Sequence, residues 1–235
     1  MPINNLPIWA YYNTHYCVYL FNPCHLRSDM KPLVSSAYFA PIEYYKLLAN
    51  TDNILLERCD YYVKQTYRNR CRIATANGVM DLSIPVEKPN GNKTLTRDVR
   101  ISEHGDWRAN HWRAITSAYN SSPFFEYYAD DLAPFFEKKQ PFLFDFNGEI
   151  QQTILDLLDI HPIINYTETF QQNYGESVSD FRETIHPKIE SKTVFTPYYQ
   201  VFQQKFGFIP NLSIIDLLFN MGNEAVLVLN RFQKF

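Results

Sequence analysis

The sequence has little glycine, 7 residues in 235, and it contains no glycine-rich phosphate-binding motif. Neither the G-x-G-x-x-G fingerprint of dinucleotide-binding folds nor the G-x-x-x-x-G-K-[ST] loop occurs. No apolar run reaches the ~18 residues that a membrane-spanning helix needs. The formal net charge is -3, which disfavours general attraction to nucleic acid or to a membrane surface. Any binding of anions therefore has to be local.

Cysteine is also scarce, and its four positions, 17, 24, 59 and 71, have no C-x-x-C spacing. In a chain of this size such cysteines are typical of free thiols in a reducing cytoplasm, not of a disulfide framework. The spacing of His15, Cys17, Cys24 and His25 matches no metal-ligand pattern. We therefore predict a cytoplasmic protein with no metal site and no redox or other bound cofactor.

Apolar and aromatic side chains are abundant: 46% of the residues are hydrophobic, with 17 tyrosines and 18 phenylalanines. This composition is typical of a globular domain with a substantial core. Residues 1–29 show no clear hydrophobic periodicity, whereas Met30-Lys31-Pro32 opens a predicted strand of ordinary composition. Residues 1–29 are either an extension that precedes a natural start at Met30 or an ordered arm that packs its aromatic side chains on the domain. Residues 30–235 are predicted to form a single domain.

From Leu33 onward the pattern alternates between strands and helices. "LVSSAYF" and "NILLE" are predicted strands on either side of a predicted helix, "IEYYKLLANTD". A hairpin follows, in which Asn77-Gly78 joins "YRNRCRIAT" to "VMDLSIPVE". "LTRDVRIS" is a further predicted strand.

The second half is predicted to be mostly helical. One helix runs from Asp106 to about Tyr119, the next starts at Ser122-Pro123, and Pro134 ends it. Asn147 begins an amphipathic helix, and residues 165–195 are expected to be a long loop with a short helix. "PYYQVFQQKFG" and "SIIDLLFNMG" are the last two predicted helices. The expected fold class is α/β: a small, mostly parallel sheet with an adjoining antiparallel β-hairpin, packed by helices from the C-terminal half.

Positive charge is concentrated in the stretch "YVKQTYRNRCRI", which contains no acid. Its cations are Lys64, Arg68, Arg70 and Arg72. Because side chains two apart share a face of a strand, the arginines are predicted to point one way and Cys71 and Ile73 the other. A row of guanidinium groups matches phosphate or carboxylate geometry, and Asn69 is predicted to orient the bound substrate. The alternative is a strand whose charges protect it against aggregation.

The segment "DWRANHWRAI" places His111 between Trp107 and Trp112 on a predicted helix. A His on an apolar helix face is commonly a packed core residue. In an apolar wall, however, its pKa falls, and it can act as a neutral base near pH 7. His111 is therefore a candidate acid or base. Trp107 and Trp112 are candidate substrate-binding residues, and the helix N-terminus around Trp107 and Arg108 offers free amides to an anion.

Two carboxylates lie at the end of the second predicted strand: Glu57 ends it and Asp60 follows before the basic hairpin. Carboxylates at strand ends are where α/β proteins place site residues. Both are therefore candidate catalytic residues that contact the substrate or position His111. The alternative is that they only pair with Arg58 or with the arginine row.

Four strings resemble, in order and spacing, the WbqC-like family: "YVKQTYRNRCRI", "LSIPVEK", "WRANHWRAITSAYNSSPFFEYY" and "FIPNLSIIDLLFNMG". The resemblance covers about residues 33–229. Many members carry a His-Gln-Pro string after the first strand, and here Ser35 and Ser36 stand about where His and Gln would stand. If that His is catalytic in relatives, this chain either lacks the activity or uses His111 instead.

Members of that family are encoded among genes for O-antigen and other bacterial surface polysaccharides, so the resemblance implies a cytoplasmic role in glycan assembly. The implied activity is that of a transferase acting on, or transferring to, a nucleotide-linked sugar or another phosphorylated small molecule. The alternative is a non-catalytic ligand-binding or scaffold subunit that works with glycan-assembly proteins. No nucleic-acid partner is expected, because the chain is acidic overall and has no RRM-like motif.

Overall fold

A computed structural model of the chain describes residues 30–87 and 94–230, so the predicted extension 1–29 lies outside the described part. The strands in that part are β1 (Lys31–Ser35), β2 (Asn53–Glu57), β3 (Arg70–Thr75), β4 (Gly78–Ser83), β5 (Ile163–Tyr166) and β6 (Val178–Asp180). Its helices are α1 (Ile42–Ala49), α2 (Trp107–Tyr119), α3 (Phe125–Leu132), α4 (Pro134–Glu137), α5 (Leu143–Leu157), α6 (Gln203–Phe206), α7 (Ile214–Met221) and α8 (Ala225–Leu229). Short 3-10 turns cover Thr96–Asp98 and Gly222–Glu224.

Four strands form a parallel sheet in the order β5-β2-β1-β6. The predicted strand–helix–strand unit of β1, α1 and β2 is present, with Leu33 opposite Leu55. After β5 the chain returns to the far side of β1 to form β6, so the direction of strand succession reverses between β1 and β6. In open parallel sheets, ligands bind beyond the carboxyl ends of the strands at such a reversal. The predicted α/β class with a small parallel sheet is confirmed.

The predicted hairpin is also confirmed, because β3 and β4 pair antiparallel across the Asn77-Gly78 turn. Cys71 and Ile73 of β3 are buried, as their alternation predicts. Helices α2 and α7 pack against β3. The hairpin therefore closes one side of a core that the parallel sheet closes on another.

The core itself is built largely from aromatic rings. Tyr38 and Phe146 stack at 6.1 Å between ring centroids, and Phe125 meets Phe219 edge-on at 5.1 Å. Aromatic pairs of this kind add roughly 0.5–1.5 kcal/mol beyond the area that they bury. The excess of tyrosine and phenylalanine in the sequence is thus used mainly for packing.

Two stretches differ from the sequence-based expectation. "LTRDVRIS" does not form the predicted strand: it contains the 3-10 turn Thr96–Asp98 and has isolated bridges on either side of that turn. The backbone amide of Thr96 donates to the carbonyl of Asp60 at 2.9 Å and is not part of a continuous strand ladder. The range 165–195, expected to be a loop with a short helix, contains the end of β5 and all of β6. Both strands are short, with four and three residues, so they carry no strong hydrophobic periodicity.

The helix boundaries are right for α2 and α7 and shifted elsewhere. Asp106 precedes α2, but it has a positive φ of 46° and makes no side-chain cap bond. Ser122 does not cap the next helix, because its hydroxyl donates to the carbonyl of Tyr119 at 2.6 Å and α3 begins only at Phe125. Pro134 separates α3 from α4 as expected, and α5 starts four residues before Asn147. Most of "PYYQVFQQKFG" is irregular, with helix only in α6.

Candidate functional site

A set of polar side chains converges at the carboxyl edge of the parallel sheet. Ser35 ends β1 and Ser36 follows it, whereas Glu57 ends β2 and Arg182 follows β6 by two residues. Ser36, Glu57 and Arg182 are buried. This is the edge at which the strand order reverses, so the fold places these groups where α/β sheets bind ligands.

A narrow pocket opens at this edge. It is lined by Ser35, Ser36, Thr66, Arg68, Arg182 and neighbouring apolar side chains that include Phe181 and Ile185. Its free space of about 10 Å³ holds roughly one water molecule. The pocket is therefore closed to larger molecules in this conformation.

Arg68 lies at the centre of the pocket and is only 3% exposed. Its Nη2 donates to the Ser35 hydroxyl at 2.9 Å and forms an ion pair with the buried carboxylate of Asp60. Asp60 also accepts a hydrogen bond from the Thr96 hydroxyl. The Nε–H of Arg68 is buried and has no hydrogen-bond partner in the described residues. This guanidinium is thus fixed in place with one donor unused.

A second buried ion pair joins Glu57 to Arg182, with 2.9 Å between Oε2 and Nη1. Glu57 is completely buried and also accepts bonds from the Thr167 hydroxyl and from the Cys59 amide, at 2.6 and 2.8 Å. Arg182 bonds Asp180 as well, and its guanidinium lies 5.4 Å from the ring centroid of Phe170 and 5.3 Å from that of Tyr174. All of these contacts hold Arg182 against the sheet in a fixed position.

Asn147 of α5 connects the helix layer to the pocket. Its amide nitrogen donates to the Ser36 hydroxyl at 3.0 Å and to the carbonyl of Arg68 at 2.7 Å. Ser36 therefore accepts a hydrogen bond from Asn147, just as Ser35 accepts one from Arg68. No other hydrogen bond is formed by either hydroxyl within the described residues, so both O–H groups remain available as donors.

The pocket consequently presents unused donors: the hydroxyls of Ser35 and Ser36 and the Nε–H of Arg68. The carboxylates nearby are already paired with arginines. A group with only acceptor oxygens, such as phosphate, sulfate or carboxylate, matches this arrangement because charge-assisted hydrogen bonds to arginine are the strong ones.

The structure separates the predicted arginine row. Arg68 lies before β3, not on it, because the chain turns there and Arg68 points into the pocket; the prediction that it shares a strand face with Arg70 and Arg72 is wrong. Arg70 and Arg72 do share the outer face of the hairpin, where both pair with Asp81 of β4, at 3.0 and 3.2 Å. The two-residue alternation of a strand therefore holds for Arg70 and Arg72 but not for Arg68.

Two polar neighbours of the row also lie outside the pocket. Asn69 donates to the carbonyl of Ile84 at 2.8 Å and accepts no hydrogen bond through its buried Oδ1 in the described residues. Lys64 is exposed. Asn69 ties the start of β3 to the end of β4, and Lys64 is a surface cation.

His111 lies in the core, where its Nδ1 is 3.0 Å from the hydroxyl of Tyr38. Burial lowers the pKa of His111 to about 4, although a hydrogen bond to the carbonyl of Ser83 acts in the opposite direction. The ring is therefore neutral at pH 7, as predicted for an imidazole in an apolar wall. It does not line the pocket at the sheet edge.

The two tryptophans that flank His111 are packing residues in this structure. Trp107 meets His111 edge-on at 5.2 Å, and the guanidinium of Arg108 lies 4.6 Å from the Trp107 ring centroid. Trp112 stacks on Phe136 at 5.2 Å. Neither ring lines the pocket at the sheet edge.

Sequence reasoning missed Arg182 and Asn147 as site residues. Arg182 lies in the range that was expected to be a loop, and Asn147 was interpreted only as a helix start. Asn147 could have been recognised as a site residue because its side-chain amide lies on the otherwise apolar face of α5. Ile150 and Ile154 share that face and are fully buried. For Arg182 no hydrophobic periodicity could indicate the preceding strand, because β6 has only three residues.

Metal ligands and membrane spans can be searched only in the described ranges, 30–87 and 94–230. There, no cluster of three or more His, Cys, Asp or Glu side chains has the arrangement of a metal site. In the same ranges, none of the helices combines the length and apolar character that crossing a bilayer requires.

Comparison with known proteins finds a matching family and a relative. The model of the WbqC-like protein family matches residues 36–197 and 181–228. An uncharacterized protein of Mycobacterium tuberculosis (strain ATCC 25618 / H37Rv) is 27% identical over 218 residues, which cover 82% of this chain and 94% of that protein. No solved structure matches the chain significantly.

Proposed function

The chain belongs to the WbqC-like protein family, and from this premise we propose that it is an enzyme of surface-glycan biosynthesis that binds a nucleotide-linked sugar at the carboxyl edge of its parallel sheet. The pocket around Arg68 receives a phosphate of that ligand. The reaction is a transfer to, or a modification of, the sugar. The cell compartment in this proposal is the cytoplasm, where nucleotide sugars are made.

The observation that carries the proposal is the set of unused donors around a buried guanidinium. Arg68 is held by Asp60, and its Nε–H has no partner among the described residues. The hydroxyls of Ser35 and Ser36 are both occupied as acceptors and free as donors. Phosphate oxygens accept hydrogen bonds without donating any, so a phosphate satisfies all three groups at once.

In a transfer reaction, negative charge develops on the phosphate that leaves the sugar. Fixed donors aimed at that charge stabilise a transition state because they need no reorganisation when the charge appears. Glu57 and Asp60 act here by positioning Arg182 and Arg68, since each is already bonded to its arginine. This assigns the two predicted acids to positioning instead of to proton transfer.

The ligand can enter only if the chain over the pocket moves. Residues 181–197, called the strap below, contain no helix or strand, and Phe181 and Ile185 of the strap cover the pocket. The strap is attached to the hairpin by a 2.8 Å bond from Arg72 to the carbonyl of Pro187, and to α1 by a 3.0 Å bond from Lys46 to the carbonyl of Val194. A nucleotide-linked sugar would displace the strap from Ile185 outward.

Binding can be tested by thermal-shift and calorimetric titration with UDP-, GDP- and CMP-linked sugars. We expect at least one class to stabilise the protein. The double variant Ser35→Ala/Ser36→Ala should weaken that binding by roughly 10-fold or more, because two charge-assisted bonds are lost. Ser117→Ala, on the exposed side of α2, is the matched control. If no nucleotide sugar binds, or if the double variant binds as well as the wild type, the proposal fails.

A second candidate function is a non-catalytic ligand-binding or scaffold subunit of a polysaccharide-assembly complex. It is favoured by the fact that Glu57 and Asp60 are paired with arginines, while His111 does not line the pocket. Phosphorus NMR of the protein with a nucleotide sugar that binds separates the two functions. Consumption of the nucleotide sugar supports the enzyme, whereas binding without turnover in the presence of acceptor glycans supports the binding subunit.

A further inference from the structure

A groove that is separate from the pocket at Arg68 lies between α4, the connection that follows it and α5. Its free space of about 380 Å³ falls within the roughly 300–1,000 Å³ that small-molecule sites in proteins occupy. The pocket at Arg68, by contrast, has space for about one water molecule. Of the two, only the groove can take a small molecule without a movement of the chain.

The apolar part of the groove is formed by Pro134, Phe135 and Phe146. Phe146 is fully buried and meets the ring of Phe135 edge-on, at 6.1 Å between the ring centroids. Pro134 and Phe135 are only half-buried, so apolar carbon remains exposed along the groove. The face of an aromatic ring is slightly negative and attracts the slightly positive C–H groups of a saturated ring. This part of the groove therefore suits a saturated ring that has an apolar face.

The polar part of the groove contains Gln140, Glu149, Gln152 and Thr153. The amide nitrogen of Gln140 donates to Oε1 of Glu149 at 2.6 Å, and that of Gln152 donates to Asp156 at 2.8 Å. In the described part of the chain these four side chains form no further hydrogen bonds, so Oε2 of Glu149, both amide oxygens and the Thr153 hydroxyl remain available. Amides and hydroxyls both donate and accept, whereas a carboxylate accepts. The partner that matches this mixture is a group that also does both, such as a hydroxyl.

The charge of the groove is balanced, because Lys138 is the one cation and Glu149 the one acid among the described residues that line it. The carboxylate of Glu149 disfavours an oxyanion, and Lys138 offsets the attraction of that carboxylate for a cation. The class of ligand that remains is uncharged, with an apolar face and several hydroxyls. Sugars in the pyranose form have this chemistry.

We propose that this groove binds an uncharged pyranose unit of a glycan, which packs its C–H face against Phe135 and hydrogen-bonds its hydroxyls to Glu149 and the amides. Helix α5 contributes to both sites, because Phe146 lines the groove and the next residue, Asn147, bonds Ser36 at the sheet edge. In a transfer reaction the groove would hold the acceptor. The acceptor role rests on the proposed function, whereas the binding of the sugar does not.

The test uses the full chain and a panel of uncharged probes: the methyl pyranosides of glucose, galactose, mannose, N-acetylglucosamine and rhamnose. Saturation-transfer difference NMR shows which of them binds, and a titration gives the affinity. Glu149→Ala removes the available carboxylate oxygen, and Thr153→Trp fills the groove with an indole ring. Asp145→Ala is the matched control, because Asp145 is an exposed acid of the same helix that does not line the groove.

We expect at least one glycoside to bind the wild type, with saturation strongest at the C–H protons of one ring face. Glu149→Ala should weaken that binding by roughly 10-fold, the equivalent of one hydrogen bond to a charged group. Thr153→Trp should abolish the binding, and Asp145→Ala should bind as the wild type does. Inorganic phosphate should not compete with the glycoside, because the groove has none of the arginine and serine donors of the pocket at Arg68.

No saturation transfer to any of the glycosides, competition by phosphate, or wild-type affinity in Glu149→Ala or in Thr153→Trp overturns the inference. The proposed function stands in that case, provided that a nucleotide sugar binds and the Ser35→Ala/Ser36→Ala variant weakens its binding. If a glycoside binds in the groove but no nucleotide sugar binds the protein, the proposed function fails and the acceptor role fails with it, while the sugar site stands. Circular dichroism of each variant verifies that it is folded, so that a loss of binding refers to the groove.

Discussion

Arg68 and Asp60 form an ion pair that is almost completely removed from solvent, with side-chain exposures of 3% and 9%. The pair joins the chain after β2 to the chain before β3, and it fixes the guanidinium in the pocket. A buried charge that loses its partner is strongly destabilising, because neither water nor another ion replaces the lost interaction. The pair is therefore expected to be important for stability as well as for the site.

Asp60→Asn should lower the free energy of unfolding by roughly 3–5 kcal/mol, since it leaves the charge of Arg68 buried without a counter-ion. Urea unfolding at pH 7 measures the difference. Asp81→Asn is the control, because Asp81 pairs with Arg70 and Arg72 on the partly exposed face of the hairpin. Exposed pairs contribute roughly 0–1 kcal/mol. Equal losses in the two variants would contradict this account of Asp60.

The raised pKa of Asp216, in α7, predicts that stability depends on pH. Burial raises the pKa of Asp216 to about 6, although hydrogen bonds from Tyr198, Tyr119 and Gln200 act in the opposite direction. The folded state thus binds a proton more tightly than the unfolded state does, and this group's contribution to stability falls as pH rises from about 4 to about 6. Relative to the wild type, Asp216→Asn should become more stable by roughly 3 kcal/mol between pH 4 and pH 7.

The difference between variant and wild type has to be measured, because other groups titrate in the same range. Urea unfolding at four or five pH values gives that difference directly. Tyr119→Phe removes one of the donors to Asp216 and keeps the ionisable carboxyl, so the pH dependence should persist there. A difference between Asp216→Asn and wild type that does not change with pH would refute the raised pKa.

The lowered pKa of His111 predicts a pH dependence of stability that is opposite in sign to that of Asp216. Its folded-state pKa of about 4 lies below the usual 6.5, so the unfolded state binds the proton more tightly. The contribution of His111 to the free energy of unfolding is fully present above about pH 6.5 and decreases as the pH falls toward 4. His111→Gln should therefore be most destabilising at neutral pH and should lose roughly 3 kcal/mol of that disadvantage by pH 4. A variant that loses the same amount at both pH values would refute the lowered pKa of His111.

Gly222 ends α7 with a positive φ of 54°, and a Cβ built on it would lie 2.7 Å from the ring of Phe124. Gly222→Ala should destabilise the protein by roughly 1–3 kcal/mol, because it combines an unfavourable backbone conformation with a clash against the ring of Phe124. Thermal unfolding measures this.

Gly148→Ala is the matched control for that substitution. Gly148 lies inside α5, and a Cβ there meets no atom within 4 Å. Alanine should stabilise the helix by roughly 0.5–1 kcal/mol. If Gly222→Ala stabilised the protein as Gly148→Ala is expected to do, the end of α7 would not need glycine.

Much of the fold could be predicted because its central elements have strong local signals. β1 and β2 are apolar runs beside a helix, and Asn77-Gly78 defines the hairpin. β5 and β6 escaped prediction because each is an edge strand of only three or four residues, none of which is buried. Their existence depends on β1 and β2 already being in place, which is tertiary information.

The candidate site was predictable in part for the same reason. Glu57 and Asp60 could be located from the end of β2, since strand ends are visible in the sequence. Arg68 was correctly singled out as a basic residue, but its direction could not be derived from strand periodicity, because β3 begins two residues later at Arg70. The partners of Glu57 and Ser36, which are Arg182 and Asn147, lie more than 100 residues away in the chain. Only the folded arrangement brings them together.

The attachment of the strap over the pocket has a kinetic consequence. If the free space below Ile185 holds about one water molecule, a ligand cannot collide productively with the closed form. Association then proceeds through a minor open form, and the observed association rate reaches a ceiling at high ligand concentration that equals the opening rate of the strap. Stopped-flow traces would show this ceiling, and shortening Arg72, which bonds the carbonyl of Pro187, would raise it. The protein would thus hold its ligand for long periods without needing high affinity in each contact.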